Sequence, residues 1–408
     1  MLKNDSIFLT LTVAFLITGS LIGAGILALP VKSGLAGFYP SLVGMLVVAG
    51  AMLFTALVLA GEATRSKEPT FHYASLYESY LGFVGKWVAI LTNLLVLYGL
   101  LTAYLTGATT AITRFLQKPI PDYWILLIFF IVMTGILLMG LTIIRKSNAL
   151  LMILLWASFG IIVFMTNKHV HVDRLSFTDW SFLPATVPIM ATAFYFHNII
   201  PVACRSLNWN YSRIWKTLVI GMLIGYAMYA VWMYVSLGAL PLNNGDASIM
   251  YAFHHNFPAT IPLAEKIGSS LFTFSSLLFA ILAITTSYVV CGTALMAFIR
   301  DLTQNHLKIN NRIVVVLLSF GPPLLVSLIY PDVFLRVLDV VGGVGIVVLF
   351  GILPSIIAIY RAKSIMGRLF CVVMLVLFST FLLLEIGQEL GYLQIKAHME
   401  HWKFEGYR

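Results

Sequence analysis

The chain has 408 residues, of which 60% are hydrophobic and only 10% are charged, and its formal net charge is +9. Soluble domains carry about a quarter of their residues as charged side chains. The composition therefore excludes an ordinary soluble domain and indicates a polytopic α-helical membrane protein in a lipid bilayer. The basic residues are scattered in short loops between apolar runs, which the positive-inside rule explains better than nucleic-acid binding does.

Eleven apolar runs are long enough to cross a bilayer, which takes about 20 residues. They cover residues 7–35, 38–61, 83–113, 123–143, 148–166, 183–204, 214–238, 267–299, 312–330, 333–360 and 367–388. Lys and Arg are more frequent in the loops that lie inside if the N-terminus is cytoplasmic, so we predict that the N-terminus is inside and the C-terminus outside. Residues 1–388 are expected to form a single transmembrane domain, with 389–408 as an outer tail.

Chemical motifs outside the spans are sparse. The three cysteines, Cys204, Cys291 and Cys371, lie in or at the end of apolar runs without metal-like spacing, so we expect no disulfide framework and no metal site. The histidines in the loops 167–182 and 240–265 lack a clear ligand set. No phosphate-binding G-x-x-x-x-G-K-[ST] and no H-E-x-x-H occurs, which argues against ATP-driven transport, an enzyme and a bound cofactor. Residues 70–80 are expected to form an interfacial helix.

The first apolar run contains an unusual stretch at residues 19–30, GSLIGAGILALP. Its three glycines each weaken a helix by about 1 kcal/mol relative to alanine, and Pro30 biases Leu29 away from the helical region. In lipid, broken backbone is tolerated only where it is buried in protein or lines a cavity. Either this helix is broken around a site, or its glycines let another helix come close.

The sixth run carries a second candidate interruption at residues 192–201, TAFYFHNIIP. His197 and Asn198 lie in mid-span, where polar groups are costly unless they face a cavity or a partner. Pro201 removes a backbone donor three residues later. This run is therefore also predicted to be interrupted.

Runs one and six are five spans apart, so they cross the bilayer in opposite directions. This is the arrangement of an inverted repeat, with residues 7–166 and 183–360 as the two halves and 367–388 outside them. Two interrupted segments in corresponding positions indicate a transporter binding site.

Broken helices supply binding groups from their main chains. The second half-helix of span one would expose the N–H groups of Gly23, Ala24, Gly25 and Ile26, which can hold a carboxylate at the positive end of the helix dipole. The unwound carbonyls at Gly19 and Ser20 can bind a cation or an ammonium group. Together these groups would suit a zwitterionic amino acid.

Four segments resemble the hydroxy and aromatic amino acid permeases of the amino acid-polyamine-organocation superfamily. They are residues 18–30, 193–201, 283–288 and 342–354. The resemblance implies a leucine-transporter-type fold, an all-α 5+5 inverted repeat with an eleventh helix. It also implies proton-coupled uptake of tyrosine or tryptophan across a bacterial inner membrane. The alternative is a serine, threonine or other neutral amino acid permease, with sodium as the alternative coupling ion, and the oligomeric state stays open.

Side chains beside the predicted breaks are candidate substrate contacts. Phe194 and Phe196 in span six and Tyr98 in span three could stack on a substrate ring, and Tyr195 and Tyr104 lie near them in the sequence. His197 and Asn198 could contact the substrate or cap exposed backbone.

Candidates for ion coupling are few. His197 is the first candidate for a proton-carrying group because its charge changes near neutral pH, followed by Glu62 and Asp339, which are intramembrane carboxylates. Asp339 could instead pair with Arg336, three residues before it. Thr286 and Ser287 in span eight offer oxygen atoms that would suit sodium.

Overall fold

The computed structural model describes residues 2–67, 72–116, 120–139, 141–243, 245–305, 308 and 311–396. Within these ranges the regular secondary structure is helical, apart from one isolated antiparallel bridge between Gly37 and Thr178, and loops connect the helices. Residues 397–408 of the predicted outer tail and residues 70–71 of the predicted interfacial helix lie outside the described residues.

The helices are numbered α1 to α16 in chain order. They are α1 (Leu2–Leu21), α2 (Ala24–Ser33), α3 (Phe38–Ser66), α4 (Tyr73–Leu116), α5 (Asp122–Met139), α6 (Leu141–Asn167), α7 (Val187–Ala193), α8 (Ile200–Ser206), α9 (Tyr211–Ala239), α10 (Ile249–His254), α11 (Thr260–Ile267), α12 (Ser270–Asn305), α13 (Arg312–Ile329), α14 (Phe334–Val340), α15 (Leu353–Arg361) and α16 (Ile365–Glu389). In the described part of the chain, ten helical segments are long and apolar enough to cross a membrane, and α1 with α2 makes an eleventh.

The first span is broken, and its two halves, α1 and α2, are bent by 57°. The break falls at Ile22 and Gly23, where Gly23 adopts an extended conformation before α2 begins. Pro30 lies inside α2 and does not end it, contrary to the expectation for Leu29. The reason is that the carbonyl of Ile26, which Pro30 cannot serve, accepts a hydrogen bond from Trp232 Nε1 (2.8 Å) on α9.

The sixth span is also interrupted, as predicted. Helix α7 ends at Ala193, a 3₁₀ turn covers His197–Ile199, and α8 follows. Pro201 occupies the first turn of α8, where a missing N–H costs nothing, so this proline starts a helix and does not cause the break. The two broken spans touch, because a Cβ on Gly25 would lie 2.8 Å from the Cα of Ala193.

The third span, predicted at 83–113, is preceded by a short helix over residues 73–81, and the non-helical Gly82 separates the two. Helix α4 begins at Tyr73 and bends at Gly82, whose φ of 65° lies outside the helical region. The first two turns of α4 take up most of the segment predicted to be an interfacial helix. The loop predicted at 240–265 likewise contains the short helices α10 and α11.

The tenth span changes its winding at its centre. A π-helix, Val341–Ile352, joins α14 to α15. A Cβ on Gly342 would lie 1.9 Å from the carbonyl oxygen of Pro188 in α7, and one on Gly345 would lie 2.7 Å from Val96 in α4. The bare backbone of this segment therefore lets two other spans approach it closely.

Candidate functional site

A cavity of about 90 Å³ lies beside the two breaks. Five of the predicted site residues line it, and they come from α1, the broken sixth span and α12. They are Gly19, Ser20, Asn198, Thr286 and Ser287. The fold thus brings together groups that are up to 268 positions apart in the numbering of the chain.

Gly23 lies directly against this cavity. A Cβ on Gly23 would lie 2.9 Å from Ser287 Oγ and 3.8 Å from the hydroxyl of Tyr104, and both residues line the cavity. Any larger side chain at position 23 would therefore displace cavity-lining groups.

The main chain at the break offers fewer free donors than the sequence suggested. The N–H of Gly23 donates to the carbonyl of Leu21 (2.9 Å), and the N–H of Ile26 donates to the carbonyl of Gly23 (3.3 Å). Of the four predicted donors, only Ala24 and Gly25 have no hydrogen bond to another described residue. The carbonyls of Gly19 and Ser20 likewise accept no hydrogen bond from another described residue. Free acceptors therefore lie before the break and free donors after it.

In span six the aromatic residue that lines the cavity is the one between the two that were predicted. Tyr195 lines the cavity, whereas Phe194 packs on Tyr229 with ring centroids 5.1 Å apart and Phe196 packs beside His197 at 5.2 Å. These side chains follow one another along non-helical backbone, so helical periodicity could not assign their directions. Phe194 and Phe196 are therefore structural neighbours of the site.

In α4 the lining tyrosine is Tyr104, and Tyr98 lies elsewhere. The hydroxyl of Tyr98 donates to the carbonyl of Leu318 (2.7 Å) in α13. Six residues of a helix correspond to a rotation of about 240°, so both tyrosines cannot face one cavity. Leu97 and Leu100 also line it, and their i, i+3, i+7 spacing with Tyr104 is the signal that would have selected the correct face.

His197 is fully buried and is not among the residues that line the cavity. Its Nε2 lies 3.0 Å from Thr55 Oγ1, and its ring stacks on Phe350 with centroids 5.0 Å apart. The Thr55 hydroxyl donates to the carbonyl of Met52 (3.0 Å), so it accepts from His197, and this assigns a proton to Nε2. His197 thus links the broken sixth span to α3, and its role in proton coupling stays a prediction.

Two residues of α9 that the sequence analysis did not select serve both breaks. The hydroxyl of Tyr229 shares its single hydrogen between the carbonyl of Leu21 and that of Ala193 (2.8 Å). Trp232, three residues later on the same face, bonds the carbonyl of Ile26. The hydroxyl of Tyr229 and the indole N–H of Trp232 thus satisfy carbonyls that the interruptions and Pro30 leave without a backbone donor inside the membrane. The available signal was an i, i+3 pair of polar-tipped aromatics in an otherwise apolar span.

Residues of α12 and α1 contribute oxygen atoms to the cavity. The hydroxyl of Thr286 donates to the carbonyl of Leu282 (2.8 Å), which leaves its oxygen free to accept. Ser287 and the carbonyls of Gly19 and Ser20 add further oxygens. Such oxygens are the ligands that hard cations prefer.

Glu62 forms an ion-pair cluster at one end of the bundle. Its carboxylate accepts from Arg361 Nε and Nη2 (3.1 Å each) at the end of α15, and from the Tyr80 hydroxyl (2.8 Å) in α4. Arg65 pairs with it as well. Glu62 therefore ties three spans together at a distance from the cavity lining.

Replacing Glu62 with Gln should lower the free energy of unfolding by about 1.5–3 kcal/mol, because charge-assisted hydrogen bonds are lost. The thermal midpoint of the protein in detergent would measure this. Glu78→Gln is the matched control, since the Glu78–Lys86 pair is solvent-exposed and worth less than about 1 kcal/mol. Equal midpoints for the two variants would show that Glu62 does not hold the spans together.

Asp339 pairs with Lys32 of α2 and does not pair with Arg336, so that alternative is wrong. Arg336 pairs with Glu389 of α16 instead (2.9 Å). The side chain of Arg336 is 70% exposed and that of Asp339 only 12% exposed, so the two point away from each other despite their spacing. The Asp339–Lys32 pair joins the second half of span one to span ten.

A cavity with polar and apolar lining beside two interrupted spans, among the eleven spans of the described residues, is the arrangement of a membrane transporter that binds its substrate between discontinuous helices. The chain belongs to the tryptophan/tyrosine permease family, whose sequence profile matches residues 6–387. This confirms the family resemblance.

The fold prediction is confirmed by likeness to a solved transporter. The structure is similar to that of Mhp1, a nucleobase-cation-symport-1 family transporter in a closed conformation with bromovinylhydantoin bound. The TM-score is 0.61 at 16% identity, over 98% of this chain and 96% of that one. The fold is therefore of the leucine-transporter type, while the division into halves at 7–166 and 183–360 stays a prediction.

Three relatives show the range within the family. Tyrosine-specific transport system 1 of Haemophilus influenzae is 28% identical over 336 residues, covering 80% of this chain and 82% of its own. The low affinity tryptophan permease of Escherichia coli is 25% identical over 370 residues, 87% of this chain and 88% of its own. Glutamine transporter 2 of Aliivibrio fischeri is 26% identical over 345 residues, 83% and 84% respectively.

Proposed function

We propose that this protein is a secondary active transporter that takes up an aromatic amino acid, tyrosine or tryptophan, by alternating access. The observation that carries the proposal is the cavity beside the two breaks, in which Tyr104 and Tyr195 lie with polar groups of both broken spans. The names of the tyrosine and tryptophan relatives support the same substrate class.

Different groups at the break would bind different parts of the substrate. The free N–H groups of Ala24 and Gly25 would hold the carboxylate without a basic side chain. The carbonyls of Gly19 and Ser20 would accept from the ammonium group. Tyr104 and Tyr195 would stack on the aromatic ring.

We also propose that a proton drives uptake, in a bacterial inner membrane with the N-terminus cytoplasmic and the C-terminus outside. The excess of Lys and Arg in the loops placed inside supports this orientation. Sodium is the alternative coupling ion, since oxygen atoms of Thr286 and Ser287 line the cavity.

A polar neutral amino acid is the second candidate substrate. The glutamine relative favours it, and the amide of Asn198 with the hydroxyl of Ser287 could bond a side-chain amide or hydroxyl in the cavity. Serine and threonine fall in the same class.

Purified protein in liposomes would test both proposals. Labelled tyrosine should enter when a proton gradient is imposed, and unlabelled tryptophan should compete better than glutamine, serine or threonine. Strong competition by glutamine alone would favour the second candidate. Uptake that needs a sodium gradient would rule out proton symport.

Tyr195→Leu should raise the apparent Km for tyrosine by about 2- to 10-fold, because aromatic pairing is worth about 0.5–1.5 kcal/mol. Tyr98→Leu is the matched control, as this tyrosine lies outside the cavity. The Km of each variant for tyrosine is measured in the same liposome assay. If Tyr98→Leu had the larger effect, the substrate would lie elsewhere.

A further inference from the structure

A second cavity, of about 460 Å³, lies between α2, α10, α14 and α16. Charged residues from these elements line it, among them Lys32, Asp339, Glu385 and Glu389. None of the residues that line the substrate cavity belongs to this set. It is therefore a separate site, connected to the first through α2.

Two ion pairs lie at this cavity, and Glu385 belongs to neither of them. Lys32 pairs with Asp339, and Arg336 pairs with Glu389. Glu385 is only 3% exposed, and its Oε1 has no hydrogen-bond partner among the described residues. The Oδ1 of Asp339 likewise has none. Of these two buried carboxyl groups, only Asp339 has a cation, Lys32, as its partner.

Two further titratable groups face the cavity. His254 of α10 and Lys396, which follows α16, line it from exposed positions. These exposed residues connect the cavity to the surface of the protein, so protons can reach it from water.

Backbone packing fixes the position of Glu385. A Cβ on Gly343 would lie 2.5 Å from Glu385 Cγ, so this glycine of the π-helix makes room for the side chain. Helix α16 therefore holds a carboxyl group against the centre of span ten.

An ionised Glu385 would be a buried anion without a partner, and burial of such a charge is strongly unfavourable. Asp339, a second carboxyl group, lines the same cavity. A proton on a carboxylate oxygen of Glu385 removes this cost, and no other bond has to form or break.

We propose that Glu385 is a proton-binding group of the transport cycle, linked to the substrate through Lys32 on α2. This rests on the proposed proton coupling. When α2 moves and withdraws Lys32, Asp339 and Glu385 face each other without a cation, and their affinity for a proton rises. Because α2 also carries Ala24 and Gly25 at the break, substrate binding and proton binding bias the same helix and are reciprocally linked.

Infrared difference spectra of the purified protein would test whether Glu385 holds a proton. Wild-type protein titrated from acid to alkaline pH should show the loss of a protonated carboxyl band, and Glu385→Gln should lack that band. Glu78→Gln, which changes an exposed carboxylate outside this cavity, is the matched control and should keep it. An unchanged band in Glu385→Gln would overturn the proposal.

Transport in liposomes would test the coupling. With the membrane potential clamped at zero, a pH gradient of one unit drives a one-to-one symporter to about tenfold accumulation. Glu385→Gln should lose this accumulation but retain exchange of internal for external tyrosine, which also shows that the variant is folded. Glu78→Gln, outside this cavity, should accumulate tyrosine as the wild type does.

The outcomes separate this inference from the proposed function. Proton-driven accumulation in the wild type that persists in Glu385→Gln would overturn the inference and leave proton symport intact. Accumulation driven by sodium alone in the wild type would overturn proton symport and with it the coupling role of Glu385.

Discussion

Gly23→Leu is expected to abolish uptake while the protein still inserts and folds. A Cβ at this position already lies 2.9 Å from Ser287 Oγ, and a leucine side chain would extend among the groups that line the cavity. Its bulk would occupy the place proposed for the substrate carboxylate. Liposome uptake of labelled tyrosine measures the effect, and size-exclusion chromatography in detergent reports on folding.

Gly160→Leu is the matched control. Gly160 lies in α6 at an exposed position, and a Cβ there would meet nothing within 4 Å. The control should transport at the wild-type rate, since it makes the same change of residue away from the cavity. Near-normal uptake by Gly23→Leu would place the substrate site elsewhere.

Tyr229→Phe is expected to destabilise the protein and to weaken substrate binding together. The variant leaves the carbonyl of Ala193 without a hydrogen bond from another described residue, while that of Leu21 keeps only the N–H of Gly23. An unsatisfied buried group costs about 1–3 kcal/mol. Both carbonyls lie at the breaks, so the geometry of the cavity should relax with them. The thermal midpoint in detergent and the affinity for tyrosine are the two measurements.

Tyr226→Phe provides the comparison, because Tyr226 lies one turn earlier in α9 and bonds a single carbonyl, that of Leu42 (3.1 Å). Its loss should lower the thermal midpoint less and leave the affinity for tyrosine unchanged. If both variants lost affinity equally, the effect would come from α9 in general and not from the bonds at the breaks.

Much of the fold followed from local chemistry. Glycines at 19, 23 and 25 indicated either a break in span one or the close approach of another helix. The polar residues of span six predicted a second interruption in the corresponding position, and this favoured the break. The placement of Pro30 and Pro201 could not be predicted as easily. Whether a proline breaks a helix depends on what satisfies the freed carbonyl, and for Pro30 that is Trp232, more than two hundred residues away.

Site side chains were harder to predict than the breaks. Tyr195 and Phe194 are neighbours in the chain, yet only Tyr195 lines the cavity, since unwound backbone has no fixed periodicity. The partner of Asp339 could not be predicted either. Arg336 has the i, i+3 spacing for an ion pair with it, but Lys32 from another span forms the pair instead. Such pairings depend on tertiary packing.

The π-helix Val341–Ile352 lies between two α-helical segments of the tenth span and is wound less tightly than they are. A π-helical turn contains about one residue more than an α-helical turn. If part of the segment rewound to α-helical geometry, everything beyond it would turn by about 100° about the helix axis. Arg361, at the far end of α15, would then swing away from Glu62, while Asp339, before the segment, could keep its contact with Lys32. One change in winding could thus open the Glu62 end of the bundle while the opposite end stays closed.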